Sequence, residues 1–138
     1  MVDEARLLGL LRRVTDDVAV LRARAGAADP ADRERLDAVK YTLVTAVEGA
    51  IRAAQHLAAS ESWRVPATNA DAFRVLAEHG VVDDVLAEDL ARAAGLRNLL
   101  VHRYADINDT RVVAALAGLD ALDAYVDAVT AWVAAQRD

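Results

Sequence analysis

The residues of this chain best suited to catalysis lie together in one short segment, Arg97 to Tyr104. It contains Arg97 and His102, each followed by a second polar residue, Asn98 and Arg103. An imidazole exchanges protons near neutral pH, and a guanidinium is a permanent planar cation that suits a phosphate or a developing phosphorane. The combination predicts phosphoryl transfer on RNA that needs no metal ion. The ribose 2′-hydroxyl would attack, His102 would act as base or acid, and Arg97 would stabilise the charge.

The same segment has helical spacing, which limits how its side chains can meet. Arg97 and Tyr104 are seven residues apart and return to one face after two turns, whereas His102 lies about 140° around the helix from Arg97. One helix therefore cannot direct all three side chains at a single atom. A two-fold partner would supply a second set of the same residues across the interface, so we expect a composite site in a homodimer.

The rest of the chain predicts the helices that must position this segment. Alanine accounts for 32 of the 138 residues, a composition that favours helices. Apolar side chains recur every three or four residues in four long stretches, and a fifth, shorter stretch contains Phe73 and Leu76. We predict an all-α, antiparallel bundle of four long helices and one short helix, forming a single domain over residues 1–138.

Capping residues and turns predict where these helices begin and end. A second helix of about 30 residues would be about 45 Å long, whereas the radius of gyration of a compact domain of this size is about 14 Å. Its alanine-rich faces would need cover from another subunit, which again predicts a homodimer. The expected boundaries are Gly26, Asp29-Pro30, a loop from Ser60 to Pro66, Thr68, His79-Gly80, Asp83 or Asp84, and Asn108-Asp109.

Composition excludes several classes of protein. The chain has no cysteine, which excludes thiolate chemistry and cysteine-based zinc sites and fits a reducing, cytoplasmic location. It lacks an apolar run long enough for a membrane span, and its first residues carry charges that a signal peptide would not have, so we expect neither export nor membrane insertion. The net charge of −6 repels nucleic acid, so RNA binding would depend on the local basic stretch from Leu90 to Ala105, which has no acidic residue.

Arg97-x4-His102-x-Tyr104 resembles the RX4HXY motif of the HepT-like toxin ribonucleases of the HEPN superfamily. The similarity runs from about Val39 to Val133 and includes Asn98 directly after the arginine. Other matching segments are Ala46-Val47-Glu48-Gly49-Ala50-Ile51, Ala54-Gln55-His56-Leu57, Pro66, Phe73-Arg74-Val75-Leu76-Ala77 and Gly95-Leu96-Arg97-Asn98.

The resemblance implies the toxin of a two-gene, type VII-like toxin–antitoxin module. Members of this family are homodimeric, metal-independent ribonucleases, with transfer RNA among the proposed targets, and Arg97 and His102 would be the catalytic pair. The implied antitoxin is a minimal nucleotidyltransferase of the MntA type, which would attach AMP to Tyr104. An added phosphodiester would place negative charge and bulk where RNA phosphate binds.

The other polar and aromatic residues have less specific interpretations. Asn98 would orient a neighbour or the substrate, or make a hydrogen bond within its helix. Arg103 would contact phosphate or remain a solvated charge. Glu48 would be able to enter the site from the second helix, but its position does not require this. Structural roles are preferred for His56 and His79, packing or dimer contacts for Trp63 and Trp132, and a solvated or antitoxin-facing stripe for Asp120, Asp123 and Asp127.

Two other functions remain compatible with the same fold. The chain would be a binding module that keeps the motif without cleaving RNA, or it would be the antidote of a toxic nucleotidyltransferase. The three hypotheses differ in whether Arg97 and His102 are needed for growth arrest.

Overall fold

A computed structural model of the chain describes residues 3–25, 32–103 and 109–136. Within these ranges the chain is helical and contains no strand. The predicted all-α bundle is confirmed, with long helices α1, α2, α4 and α6. The elements are α1 (Glu4–Ala25), α2 (Arg33–Ser60), α3 (Asn69–Glu78), α4 (Asp84–His102), α5 (Asp109–Ala115), a 3-10 turn (Leu116–Gly118) and α6 (Leu119–Gln136).

Helices α1 and α2 pack side by side along most of their length. Thr45 donates a hydrogen bond to Asp17 at 2.7 Å, and Gly49 faces Val14, so the two helices run antiparallel. A Cβ atom on Gly49 would lie 3.0 Å from Val14 Cγ2, which shows how closely the backbones approach. All predicted core residues of both helices are buried: Leu7, Leu11, Val14, Val18, Leu21, Leu36, Val39, Leu43, Val47, Ala50, Ala54 and Leu57.

The short helix α3 is held at both ends by local interactions that the sequence predicts. Thr68 caps its first turn by accepting a hydrogen bond from the backbone N–H of Asp71 at 3.0 Å. His79 ends the helix, and Gly80 follows with a φ of 76°, the left-handed conformation that glycine adopts without steric cost. Arg64, in the preceding loop, pairs with Asp71 and Glu78, so the loop is fastened to the exposed side of α3.

Helix α4 begins at the Asp83 cap, whose carboxylate accepts from the N–H of Leu86 at 2.7 Å. It packs against α2, α3 and α6. Arg97 of α4 faces Glu48 of α2, while Val101 shares a groove with Tyr41. Residue numbers therefore fall along α2 as they rise along α4, and the two helices are antiparallel.

Three details differ from the sequence-based predictions. Helix α2 is capped by Asp32, which accepts from Arg35 N–H at 3.1 Å, whereas the predicted cap at Asp29-Pro30 lies outside the described residues. The predicted last helix is not continuous, because a 3-10 turn at Leu116–Gly118 separates α5 from α6. On α6, the apolar repeat of Leu119, Leu122, Val126, Val129 and Val133 predicts the buried face, but Val126 is only partly buried against the core and Tyr125 is fully buried.

Tyr125 is buried because its hydroxyl has a partner inside the bundle. It donates a hydrogen bond to the carbonyl oxygen of Ala50 at 2.9 Å, and its ring packs edge-to-face on Phe73 with centroids 5.4 Å apart. Burial raises the pKa of this phenol above its usual value, so it stays neutral. The contact joins α6 to α2 and α3 behind the segment that carries Arg97.

A buried ion pair joins α2 to the start of α5. Lys40 is 2% exposed, and its ammonium lies 2.9 Å from the carboxylate of Asp109. The hydrogen bond from Lys40 holds the pKa of Asp109 below its usual value. This pair holds the first residue of α5 against α2.

Candidate functional site

The motif residues occupy the last two turns of α4. Arg97 and Asn98 lie within the helix, His102 is its final residue and Arg103 caps it. Tyr104, the residue implied to carry AMP, lies outside the described residues. The four described motif residues therefore all lie in the C-terminal part of α4 or at its cap.

The Arg97 guanidinium is held from two sides. Its Nη2 donates to Glu48 Oε1 at 2.8 Å and its Nη1 donates to Asn98 Oδ1 at 3.0 Å. The side chain is only 18% exposed, and its Nε is buried with no hydrogen-bond partner among the described residues. Charge-assisted hydrogen bonds of this kind fix the plane of a guanidinium, which is a requirement for stabilising charge on a phosphate.

Asn98 connects Arg97 to helix α3. Its Oδ1 accepts from Arg97 Nη1 and lies 3.5 Å from Nδ2 of Asn69, the first residue of α3. The amide oxygen thus receives two donors from two helices. This geometry is suited to orienting Arg97, one of the two roles that the sequence left open for Asn98.

His102 lies apart from this arrangement within one subunit. The imidazole is exposed at the end of α4, and no hydrogen bond joins it to Arg97 in the part of the chain that the structure describes. Arg103 is also exposed, and its backbone N–H donates to Leu99 O at 2.8 Å. The structure brings Arg97 and Asn98 together, but it leaves His102 and Arg103 on the rim, as expected from their angular separation on a helix.

The sequence did not require Glu48 to be part of the site, yet Glu48 is the main partner of Arg97. It lies 49 residues earlier, in the middle of a helix whose apolar stripe faces the core. The available signal was polar residues at positions 48, 52 and 55, a spacing that places Glu48, Arg52 and Gln55 on one face of α2. That face was not recognised as part of the site because nothing local shows which helix covers it.

A groove of about 190 Å³ opens beside Arg97, where α2, the start of α3 and the last turns of α4 meet. We call it the polar groove. Arg52 and Gln55 are exposed at its edge, and Glu48, Asn69 and Arg97 are half-buried in its wall. Its lining residues are Glu48, Ile51, Arg52, Gln55, Asn69 and Arg97.

A second groove, of about 330 Å³, lies on the His102 side of Arg97 and is mainly apolar. Tyr41 is 71% exposed and Val101 is 43% exposed there, and both belong to the wall of this groove. Because both line one groove, they form a small exposed apolar surface next to the motif. The largest cleft, about 540 Å³ between α2, α4 and α6, is not lined by any described motif residue.

The remaining predicted residues lie away from the motif or in structural contacts. The rings of Trp63 and His79 stack at 4.1 Å, and Trp132 meets Trp63 edge-on at 5.6 Å, so these three form one packing cluster. His56 is half-buried in α2. Among the described residues, no group of three histidine, aspartate or glutamate side chains could hold a metal ion.

The acidic stripe of α6 has an intramolecular partner. Arg22 of α1 lies 2.7 Å from Asp120 and also pairs with Asp123, whereas Asp127 is exposed. The stripe is therefore partly neutralised by α1 rather than entirely solvated. No helix in the described ranges combines the length and the apolar character that crossing a bilayer requires.

Comparisons with known proteins agree with this geometry. Residues 11–129 match a protein family described as ribonuclease HepT-like. The chain is 28% identical over 96 residues to the mRNA nuclease HepT of Shewanella oneidensis, which covers 69% of this chain and 72% of that protein. Its fold matches the tri-AMPylated HEPN toxin of Shewanella oneidensis, solved in complex with the MNT antitoxin, with a TM-score of 0.84 at 22% identity over 95% and 99% of the two chains. YutE, a cytosolic protein of unknown function from Bacillus subtilis, gives a TM-score of 0.89 at 15% identity over 98% and 93%.

Proposed function

The chain belongs to the HepT-like ribonuclease family, and from this we propose that it is the toxin of a toxin–antitoxin module, a metal-independent ribonuclease that acts in the cytoplasm. The observation that carries the proposal is the Arg97 guanidinium, held by Glu48 and Asn98 on the helix that ends in His102. An arginine kept in one orientation and an exposed imidazole are the two groups that cleavage of a phosphodiester needs.

The proposed reaction uses the ribose itself as nucleophile. The 2′-oxygen attacks the adjacent phosphorus, and the bond from phosphorus to the 5′-oxygen breaks, which leaves a 2′,3′-cyclic phosphate and a free 5′-hydroxyl. His102 takes the proton of the 2′-hydroxyl or gives one to the departing 5′-oxygen. Arg97 stabilises the added negative charge on the non-bridging oxygens.

We propose that the complete site needs two copies of the chain. Arg97 and His102 diverge on α4, so a single subunit does not direct both at one phosphate. A two-fold partner seated over Tyr41 and Val101 would cover their exposed apolar surface and bring its own His102 towards Arg97. We propose on the same grounds that the whole chain acts as one domain.

The proposed partner is a minimal nucleotidyltransferase antitoxin of the MntA type that attaches AMP to Tyr104. Its support is the likeness in fold to a HEPN toxin that is AMPylated and bound to its MNT antitoxin. Tyr104 follows directly after the described end of α4 at Arg103. A phosphodiester there would repel RNA phosphate from the rim of the site.

The test of the nuclease is expression of the chain alone and with Arg97→Ala or His102→Ala. We expect growth arrest and RNA cleavage with the wild type, including in excess chelator, and loss of both with either variant. Arg13→Ala, an exposed arginine of α1, is the control and should remain toxic. Sequencing the cleaved RNA distinguishes messenger RNA, named for the Shewanella oneidensis relative, from transfer RNA.

The same variants separate the alternative functions. A binding module would cleave no RNA, whether as the wild type or as a variant. An antidote would protect cells from the nucleotidyltransferase rather than arrest their growth. Toxicity that is equal for the wild type, Arg97→Ala and His102→Ala would contradict the nuclease.

The modification is tested by intact mass after co-expression with the neighbouring gene. We expect the mass to rise in AMP-sized steps in the wild type and to stay unmodified in Tyr104→Phe. An adduct that survives Tyr104→Phe would move the modification to another residue.

A further inference from the structure

The polar groove beside Arg97 extends away from His102, and neither the motif nor the proposed chemistry uses its far end. Glu48, Arg52 and Gln55 follow one another at four- and three-residue spacing and share one face of α2. Because α2 and α4 are antiparallel, this series runs from the level of Arg97 towards the start of α4. Arg97 and Arg52 therefore lie one after the other along the polar groove.

Positive charges outnumber negative charges in the polar groove. Glu48 is paired with Arg97 at 2.8 Å, so its negative charge is compensated within the site. Arg52 is exposed and forms no ion pair within the described ranges, unlike Arg64 and Arg74, whose guanidinium groups are paired with carboxylates. Two arginines and one glutamate leave a net positive charge in the groove, on a chain whose net charge is −6.

Arg97 and Arg52 line the same groove, so one strand of RNA lying in it would pass both. Arg52 lies one helical turn beyond the Glu48 that holds Arg97, a rise of about 6 Å along α2. An extended single strand with one phosphate at Arg97 would carry the next phosphate past Arg52. The guanidinium fork of an arginine is well suited to bind two oxygens of one phosphate.

The polar groove also offers neutral hydrogen-bonding groups beside the two arginines. Gln55 is exposed at the groove, and Asn69 lies in its wall, where one N–H of its amide approaches Asn98 at 3.5 Å. Each amide carries an acceptor oxygen and two donor hydrogens. Such groups match the edges of a base or the hydroxyls of a ribose, whereas a groove for an apolar ligand would be lined differently.

We infer that the polar groove holds the nucleotide adjacent to the cleaved linkage, with Arg52 binding its phosphate and Gln55 and Asn69 contacting its base or ribose. The inference rests on the proposed function, because it takes Arg97 as the point where RNA is cleaved. It assigns to α2 a substrate-binding role that the motif on α4 does not contain. The ligand class is single-stranded RNA, bound by its backbone and one unstacked nucleotide.

The experiment is a titration of a fluorescent 2′-O-methyl RNA dodecamer, which cannot be cleaved because its nucleophile is blocked. The wild type is compared with Arg52→Gln, Arg52→Lys and the control Arg13→Gln, each over a range of salt concentrations. Arg52 and Arg13 are both exposed, so neither change should alter folding, and circular dichroism checks this.

We expect Arg52→Gln to weaken binding about tenfold, as expected for loss of one charged hydrogen-bonding group. The slope of log affinity against log salt should fall by about 0.7, the contribution of one phosphate contact on a single strand. Arg52→Lys should keep most of the salt slope, since it keeps the charge. Arg13→Gln should match the wild type.

The outcomes separate this inference from the proposed function. Equal binding by Arg52→Gln and Arg13→Gln, or no RNA binding by the wild type, would overturn the assignment of the groove. Binding that depends on Arg52 in a protein that cleaves no RNA would support the groove and contradict the nuclease. Cleavage by the wild type with a KM that Arg52→Gln leaves unchanged would support the nuclease and contradict the groove.

Discussion

At the scale of single residues, the site depends on how Arg97 is held. Both of its terminal nitrogens are used, one by Glu48 and one by Asn98, and only a small part of the side chain contacts solvent. A phosphate that enters must share this guanidinium with the carboxylate of Glu48. Glu48 therefore has two opposite effects, since it orients the arginine and competes with the substrate for it.

These two effects can be separated by substitution of Glu48. Glu48→Ala should lower kcat about tenfold because Arg97 is no longer oriented, while KM stays the same or falls. Glu48→Gln keeps an acceptor oxygen for Nη2 and should recover most of kcat. Steady-state cleavage of a fluorogenic RNA measures both constants. Glu88→Ala, which removes the carboxylate that pairs with Arg74 elsewhere, is the matched control, and a loss as large in that variant would contradict a specific role of Glu48.

A second residue-scale prediction concerns acid stability. Hydrogen bonds from Arg64 and from the N–H of Ala67 lower the pKa of Asp71 from its ordinary value to about 2. A carboxyl group whose pKa is lower in the folded chain stabilises the fold above about pH 4, and this contribution is lost as the pH falls towards 2. The melting temperature of Asp71→Asn should therefore fall less than that of the wild type between pH 5 and pH 2.5. Asp16→Asn, at an exposed position on α1, should behave like the wild type.

At the scale of elements, the bundle depends on the close approach of α1 and α2. Gly49 faces Val14, whose side chain is fully buried and β-branched, so it has little freedom to rotate away. The same approach places Thr45 within hydrogen-bond distance of Asp17. Small residues on α2 thus determine the distance between the two helices, and this distance positions the face of α2 that carries Glu48.

The prediction at this scale compares two glycines. Gly9→Ala, on the exposed side of α1 with no neighbouring atom within 4 Å, should raise the free energy of unfolding by about 0.5–1 kcal/mol because alanine favours the helix. Gly49→Ala gains the same preference, but its methyl group would press on Val14, at a cost of about 1–3 kcal/mol. Urea unfolding should rank Gly9→Ala above the wild type and Gly49→Ala below it. The opposite order would show that α1 can move away from α2 without cost.

At the scale of the whole molecule, the central question is how two divergent side chains share one phosphate. The fold alone cannot supply the answer within one subunit, because Arg97 is half-buried between helices and His102 is exposed beyond them. The exposed apolar surface at Tyr41 and Val101 lies on the His102 side of Arg97. A second copy on this surface would complete the site and would also cover the apolar groove at Tyr41 and Val101.

Mixing two inactive variants tests this arrangement. Arg97→Ala and His102→Ala are each expected to be inactive, but a mixed dimer would contain one site with an intact arginine and an intact histidine from different subunits. Random exchange gives mixed dimers in half of the population, so the mixture should recover about a quarter of the wild-type rate. No recovery after verified subunit exchange would show that each site is built within one chain.

The sequence by itself determined the helices, most of their caps and the identity of the motif. These properties are local: an apolar side chain every three or four residues, Thr68 and Asp83 at helix starts, and Arg97, Asn98 and His102 within six residues of each other. The interruption before α6 was missed because a short 3-10 turn leaves a weak local signal.

Only the tertiary structure decided which distant residues meet. The pairs of Glu48 with Arg97, and of Tyr125 with the carbonyl of Ala50, join residues 49 and 75 positions apart. Helical periodicity predicts which face of a helix is polar, but it does not state which other helix covers that face or at what level. Those choices follow from how closely the helices pack. Here they place the carboxylate of Glu48 on Arg97 and, in the same groove, Arg52, which has no ion pair with any described residue.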